Sequence, residues 1–490
     1  MINCPKNKKL EDCELEILRN AVDNIEKKAG QKMINNPEIN TIISIVEDFI
    51  RENSLICYGG TAINNILPYE DQFYDKSIEL PDYDFFSKTP LKDAKKLANI
   101  YYKQGFTEVE AKAGVHEGTF KVYVNYIPVA DITYLVPEIY DNIHKTAIIV
   151  DGLFYCPPNF LRMAMYLELS RPDGNVSRWE KVLKRLTLLN KHYPLEVSSC
   201  SADEIQRLFE KNSELKDDES KIFKIVKNSL LKQKAIFFGA YANKLFLKTL
   251  TKFKNHEIPE VPDFDIISIE PEKTLKILQE DLKVKGFKKT KIIKQKEIGE
   301  IIPEHYEFKI NDETILFVYK PNACFSYNRI KIGSRYMNIA TLDSMLSLYL
   351  SFVYSDRPYY DENRILCMSQ FLFIVQEKNR LEQKGLLKRF SIDCIGEQPS
   401  LANIRAEKSI KYKELKNKKN TKEYDWYFLR HIPAELELMK EIKKETKKET
   451  KQKKEKKKKK TIKKSKTKSK SKIKCKTKSN KKTRKSKNKK

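Results

Sequence analysis

Several features that would each name a class of protein are missing from this 490-residue chain. No stretch approaches the roughly 20 consecutive apolar residues needed to cross a bilayer. The opening Met1-Ile2-Asn3-Cys4-Pro5-Lys6 has no apolar signal core. Six histidines (His116, His144, His192, His256, His305 and His431) are dispersed without the paired spacing of zinc ligands, which disfavours a zinc enzyme. Nine cysteines, an odd number, form no C-x-x-C with a second ligand pair, so the expectation is free thiols in a reducing compartment. No serine or cysteine nucleophile motif is present, which disfavours a covalent hydrolase. The expected class is a soluble intracellular protein without membrane contact.

What is present is enough apolar content, 40%, to build two or three cores at this length. The formal charge of +28 is concentrated at one end: Lys443 to Lys490 holds 28 basic residues against three glutamates, and residues 1 to 442 are close to neutral. Bulk charge on the folded part therefore says nothing about nucleic acid, and any footprint there must be a local patch. Lys/Ser/Thr repeats cannot bury enough apolar surface to offset chain entropy, so residues 443 to 490 are expected to be disordered. Such a tail suits salt-dependent, sequence-independent RNA tethering, with nuclear localisation, polyanion association or simple solubility as the other readings.

The chain is duplicated. Pro81-Asp82-Tyr83-Asp84-Phe85-Phe86 is answered by Pro262-Asp263-Phe264-Asp265-Ile266-Ile267, and each copy runs through a helix-opening proline (Pro90, Pro271) to Gly105-Phe106 or Gly286-Phe287. Upstream, Ile56-Cys57-Tyr58-Gly59-Gly60-Thr61 is answered by Ile236-Phe237-Phe238-Gly239-Ala240-Tyr241. Hydrophobic periodicity gives the first copy strands at 55–58, 82–86, 119–126 and 128–135, with helices at 91–104, 159–169 and 177–191. The second copy gives strands at 235–238, 264–269, 305–310 and 314–319, with helices at 272–285 and 341–353. Arg171-Pro172 followed by Arg178 is matched by Arg357-Pro358 followed by Arg364. The segments are a helical 1–50, an α+β unit over 51–195, a helical linker over 196–230 with a capping box at Ser201-Ala202-Asp203-Glu204, a second unit over 231–385, an extension over 386–442, and the tail.

Side chains alternate along a strand, so Asp82 and Asp84 share a face and Tyr83 and Phe85 take the other. Two carboxylates in one volume repel unless a cation joins them, and hard oxygen ligands suit Mg²⁺ with substrate phosphates. Asp131 interrupts the apolar strand Pro128-Val129-Ala130-Asp131-Ile132-Thr133; if that strand pairs beside the first, three carboxylates converge. Gly59-Gly60-Thr61 lets backbone amides at a helix start approach phosphate. Together the set suits in-line phosphoryl transfer with two metal ions. Each piece alone has a bland reading: a solvated D-x-D, a glycine turn, a hydrogen-bonded structural aspartate. Arg178, Lys181, Lys184 and Arg185 fall at helical spacings that put several on one face, which is either a solvated charged face or, through Lys181 and Lys184, a reach toward the triphosphate.

In this order the motifs resemble the nucleotidyltransferase fold shared by poly(A) polymerases, tRNA nucleotidyltransferases and DNA polymerase beta. More narrowly, Tyr58-Gly59-Gly60-Thr61-Ala62, Pro81-Asp82-Tyr83-Asp84-Phe85-Phe86 and Val129-Ala130-Asp131-Ile132-Thr133 resemble the poly(A) polymerase catalytic subunits of poxviruses and other large DNA viruses, the mimivirus type above all. The resemblance covers about residues 50 to 380. It implies an α+β fold of duplicated nucleotidyltransferase-like domains, the second degenerate, and a template-independent enzyme that adds AMP from ATP to mRNA 3′ ends with release of pyrophosphate. It further implies that Asp82 and Asp84 bind two Mg²⁺ or Mn²⁺ ions, that Asp131 binds the catalytic ion and orients the RNA 3′-hydroxyl, and that Gly59, Gly60 and Thr61 hold the triphosphate of ATP. The place of work would be a viral factory in the host cytoplasm and the virion. A homodimer and a viral processivity or capping partner stay open. The 22 residues from Gly60 to Asp82 exceed the usual gap in the superfamily, which points to an inserted loop over Pro68 to Leu80 near the site entrance.

Counting from Phe120-Lys121 and Phe308-Lys309 puts Tyr319 where Asp131 stands, and Ala240 and Tyr241 replace Gly60 and Thr61. The second copy is therefore expected to do no chemistry, and serves as a brace, an RNA groove or a dimer interface. The competing readings are a uridylyl- or tRNA-type nucleotidyltransferase with the same site, and a noncatalytic RNA-binding scaffold.

Overall fold

The computed structural model describes residues 9 to 482 except 198–199, 203–204, 210–212, 255–258 and 420, and of 458–482 it describes the backbone alone. The first half runs α1 (Leu10–Ile34), α2 (Pro37–Glu52), β1 (Ile56–Cys57), α3 (Gly59–Ile66), β2 (Tyr83–Ser87), α4 (Pro90–Lys103), β3 (Val109–Ala113), β4 (Thr119–Val124), β5 (Ile127–Tyr134), α5 (Pro137–Lys145), β6 (Ile148–Val150), β7 (Leu153–Tyr155), α6 (Pro158–Leu169) and α7 (Trp179–His192). The second runs α8 (Glu219–Lys232), β8 (Ile236–Phe238), α9 (Gly239–Leu247), β9 (Phe264–Ile267), α10 (Pro271–Val284), β10 (Thr290–Gln295), β11 (His305–Ile310), β12 (Glu313–Tyr319), β13 (Phe325–Ile332), β14 (Arg335–Ala340), α11 (Leu342–Phe352) and α12 (Glu362–Lys378). Then follow β15 (Cys394–Ile395), α13 (Leu401–Leu415), α14 (Lys422–Phe428), β16 (Arg430–His431) and α15 (Pro433–Lys482).

The duplication read from the motifs is a duplication of topology. One sheet has the order β16-β3-β4-β5-β2-β1-β7-β6 and the other β10-β11-β12-β9-β8-β14-β13-β15, so seven strands repeat in the same order and one short strand is added at opposite ends. The α4 and α10 helices open on the expected prolines, whose missing N–H belongs to the unsatisfied first turn of a helix. The halves are not separate cores. Helices α6 and α11, counterparts in the duplication, pack against each other, and the buried apolar residues of both halves form one continuous cluster. Polar contacts cross the same boundary: Tyr166 donates to Gln376 at 2.9 Å, and Arg357 pairs with Glu138 at 3.0 Å.

Three expectations change, and the tail keeps its place outside the core. The connecting helix is α8, beginning at Glu219; residues 205–209 are not helical, and Asp203 and Glu204 of the capping box lie outside the described residues. The C-terminal extension ties both lobes together: β15 pairs with β13 of the second sheet and β16 with β3 of the first, while Trp426 packs edge-on against Phe120 and Tyr134. The described part of the lysine-rich tail packs against nothing, as its composition predicts: its backbone runs on as helix to Lys482 with every described side chain from 443 to 457 exposed. Lysine and glutamate are good helix formers and Lys453 lies 3.6 Å from Glu449 one turn back, so local propensity carries this helix rather than packing. Finally, the cysteines are not all free: Cys200 pairs with Cys367 and Cys324 with Cys394, across 167 and 70 residues of sequence, and Cys13 is also disulfide-bonded. Topology brings those partners together, and linear spacing carries no sign of it.

Candidate active site

The site of the first lobe is built where β1 turns into α3 beside β2. Gly59 sits at φ +73°, and a Cβ there would stand 2.7 Å from Oδ2 of Asp84, so only glycine lets the turn lie against the carboxylate. No side chain caps the start of α3, which leaves its first amides for an anion. Strand β2 pairs in parallel with β5, and the register sets Asp84 directly beside Asp131. Asp82, one residue before β2 and two from Asp84, is exposed and completes the set of three carboxylates beside the half-buried Asp84 and Asp131. The sequence leaves this convergence conditional on the pairing of two strands, and those strands are neighbours.

A fourth residue belongs to the set. In the β4–β5 hairpin Lys121 stands opposite Asp131 and its ammonium is bonded to the Asp131 carboxylate. Burial and the neighbouring carboxylates push Asp84 up to about 7, with Lys121 opposing them. Burial and Asp131 raise Asp82 in the same direction. Oxygen donors that repel one another in a half-buried pocket fit a divalent cation, which relieves the repulsion. Because Asp84 holds its proton more tightly in the folded state, its contribution favours folding at low pH and is lost as pH rises through about 7. Cation binding must displace that proton below pH 7. Mn²⁺ is therefore expected to raise the melting temperature more at pH 8 than at pH 6, with apparent affinity falling about tenfold per pH unit below 7 for one displaced proton. Equal shifts at both pH values would contradict this.

The 68–80 insertion closes over the glycine turn. Asn64 of α3 accepts from the backbone N–H groups of Phe73 and Tyr74 at 2.8 and 2.9 Å, which fixes the loop to the helix it covers. On that loop Phe73 and Tyr74 hold the guanidinium of Arg185, 4.7 and 5.5 Å from their ring centres, and Arg185 donates to the Tyr74 hydroxyl at 2.6 Å. A Cβ on Gly60 would lie 2.9 Å from Nη1 of Arg185, so this cation is the one that α7 brings to the glycine turn. Lys184 instead pairs with Glu180 one turn back and is 73% exposed, and Lys181 is exposed as well, so these two make the solvated face. Thr61 also has a different part: its buried hydroxyl donates to the Asp82 carbonyl at 2.7 Å, holding the turn on the carboxylate strand rather than facing phosphate.

The second lobe keeps its two aspartates and loses the site. Strand β9 pairs with β12 so that Phe317, not Tyr319, stands beside Asp265 as Asp131 stands beside Asp84. The two-residue difference arises because Phe308, like Val122, is the residue before the irregularity in its hairpin, so Phe308-Lys309 is not the counterpart of Phe120-Lys121. Arg207, from the linker, takes the cation's place. It donates to Asp263 through its backbone N–H at 2.8 Å and through Nε at 2.6 Å, reaches Asp265 at 3.1 Å, and lies 4.6 Å from the Phe317 ring centre. Burial would push the guanidinium down, but the two carboxylates outweigh it and hold its pKa above the usual arginine value. The linker is secured there by the Cys200–Cys367 disulfide and by Arg364, which donates to the Ile205 carbonyl at 3.1 Å.

Comparison with known proteins agrees with the resemblance read from the motifs. Residues 44–175, which hold the glycine turn and all three aspartates, match the family model for the poly(A) polymerase catalytic subunit. A protein of Acanthamoeba polyphaga mimivirus described as a poly(A) polymerase catalytic subunit is 36% identical over 163 residues, 32% of this chain and 27% of that protein. A protein of African swine fever virus with the same description is 33% identical over 175 residues, 34% of this chain and 36% of the relative. The matches thus span about a third of the length of these relatives. The crystal structure of the Megavirus polyadenylate synthase aligns with a TM-score of 0.72 at 22% identity, over 89% of this chain and 88% of that one, so the fold is shared almost throughout.

Proposed function

We propose that this chain, folded like a viral polyadenylate synthase and matching the poly(A) polymerase catalytic subunit over its first lobe, is itself a template-independent polynucleotide adenylyltransferase acting on mRNA 3′ ends. The observation that carries the reading is the convergence of Asp82, Asp84 and Asp131 beside the Gly59-Gly60 turn with Arg185 above it. In the reaction the RNA O3′ forms a bond to the α-phosphorus of ATP, the bond from that phosphorus to the bridging oxygen of pyrophosphate breaks, and the hydroxyl proton leaves toward Asp131. Two Mg²⁺ or Mn²⁺ ions, held by Asp82, Asp84 and Asp131, would supply activation of the attacking oxygen and neutralisation of the leaving pyrophosphate. Lys121, bonded to the Asp131 carboxylate, holds it in orientation until the substrates arrive. The α3 amides and Arg185 bind the triphosphate, Arg185 as a planar cation already stacked and hydrogen-bonded in place.

The lysine-rich helix binds RNA nonspecifically and holds product near the site. Location in a viral factory of the host cytoplasm and in the virion, a homodimer, and a viral processivity or capping partner belong to the same proposal. Between these two places the paired cysteines favour the virion, because disulfides persist where thiols are not kept reduced.

Arg185→Ala tests the substrate site. Losing a charge-assisted contact to phosphate costs about 1.5–3 kcal/mol, so KM for ATP is expected to rise by roughly 10- to 100-fold while KM for RNA holds. An unchanged KM for ATP, in a variant that extends RNA, would remove Arg185 from the triphosphate site.

A further inference from the structure

Each lobe has a groove between the helix that precedes its first strand, α2 or α8, and the outer hairpin of its sheet. In the first lobe the groove is a cavity of about 270 Å³ lined by Glu47, Arg51 and Asp151, and covered by the end of the insertion at Lys76, Glu79 and Leu80. In the second lobe the counterpart, about 310 Å³, continues past Tyr336 and Met337 into an adjoining depression of about 260 Å³.

The duplication allows a position-by-position comparison. Ser54 and Lys234, both at positive φ in the turn after the helix, align α2 with α8. The pairings Ile56 with Phe154 and Ile236 with Asn338 align the hairpins. On that alignment Glu47 becomes Lys227 and Asp48 becomes Asn228; the Asp151-Gly152 turn is answered by Gly333-Ser334 at the end of a hairpin two residues longer on each strand, and Arg335 and Tyr336 lie in that added length. Arg51, engaged by Glu47 and Asp48, becomes Leu231. An acidic groove has turned basic and gained an aromatic ring. The carboxylate that lines it, Glu260, is taken up by Ser220 and Lys224.

The new ring is placed for stacking. Tyr336 is 56% exposed, stands between the two depressions, and has the Arg329 guanidinium 4.7 Å from its ring centre. Arg335 is held across the groove by a 2.6 Å bond to Asn228. An exposed aromatic ring among cations that track a groove is how proteins hold single-stranded nucleic acid without reading its sequence. We propose that this groove binds single-stranded RNA, the acceptor strand upstream of its 3′ end, with a base on Tyr336 and phosphates on Lys227, Arg329 and Arg335. The choice of RNA as the strand rests on the adenylyl-transfer reading.

The test titrates the full-length chain into a labelled 20-nucleotide oligo(A) and follows fluorescence anisotropy over a series of salt concentrations. Tyr336→Ala removes a stacking surface and no charge, so affinity is expected to fall about tenfold with the salt slope unchanged. Arg329→Glu combined with Arg335→Glu removes two phosphate contacts, so the slope is expected to flatten by about 1.4. Both changes lie on exposed side chains, and Tyr336→Ala carries the test alone if the double reversal misfolds. Parent affinity and slope in these variants would overturn the proposal, as would a change in sedimentation showing that the groove holds a second copy of the chain. Asp82→Ala, measured alongside, separates the two readings: a parent that binds through Tyr336 but extends no RNA would sink adenylyl transfer and leave the groove standing.

Discussion

Asp84→Asn is expected to cut RNA extension by at least about 10³-fold, roughly 4 kcal/mol of barrier, while making the metal-free protein harder to melt at pH 8. The two effects share one cause. Asp84 is ionised at pH 8 in a half-buried pocket beside Asp82 and Asp131, with its pKa raised to about 7, and that repulsion weakens the fold until a cation relieves it. Asparagine keeps the shape against Gly59 and removes the charge, so the metal-free fold gains on the order of 3 kcal/mol at pH 8 and about 1 kcal/mol at pH 5, where the folded-state carboxyl is protonated and the unfolded-state one is still ionised. Mn²⁺, which stabilises the parent, should shift the variant far less. Thermal melts with and without Mn²⁺ at the two pH values, run beside extension assays, check both halves. A variant that loses activity and also melts earlier at pH 8 would mean that Asp84 is a structural carboxylate.

The second large effect lies in the second lobe. Arg207→Ala leaves Asp263 and Asp265 facing each other in a buried site; Asp263 is 1% exposed. Removing one partner of a buried ion pair costs about 3–5 kcal/mol, because the other charge is left uncompensated. Because both lobes share one core, a cooperative unit of this length should lose roughly 1 °C per kcal/mol, so its melting transition should fall by about 4 °C. Replacing the three together, Arg207→Met with Asp263→Asn and Asp265→Asn, should recover much of the loss, since no buried carboxylate is then stranded and Arg364, 4.0 Å from Asp263, keeps its bond to the Ile205 carbonyl. The same loss in the triple variant would show that Arg207 acts through packing on Phe317 rather than through its charge.

Much of this was legible in the residues because it is local. Period-two alternation places Asp82 and Asp84 on one face, and prolines and glycines mark α4 and α10 to within a residue or two. The repeat of motifs reports a repeat of strand order, since each motif is bound to one element. What was not legible depends on partners distant in sequence. Strand β3, Val-Glu-Ala-Lys-Ala, has little β propensity of its own and exists because β4 and β16 flank it. Lys121 becomes part of the site only through its place opposite Asp131, which the hairpin irregularity sets. That irregularity also displaced the count that put Tyr319 in place of Phe317. Arg185 and Lys184 are neighbours on one helix, and nothing in their sequence tells which faces Gly60; the aromatic pair Phe73-Tyr74 on the insertion decides it. Arg207 lies in a polar linker with no motif around it, so its role as a built-in cation is visible only in three dimensions.

We propose that one lobe of this duplicated chain transfers AMP to RNA 3′ ends. The most direct test incubates the full-length protein with a labelled short RNA, Mg²⁺ or Mn²⁺, and each ribonucleoside triphosphate separately and then all four together, with Asp82→Ala in parallel. Long extension with ATP alone, adenosine-only tails from the mixture, and no product from Asp82→Ala are expected. Tails of uridine or of mixed composition would place the chain among the other RNA nucleotidyltransferases, and a folded protein that extends RNA with no nucleotide would contradict the account.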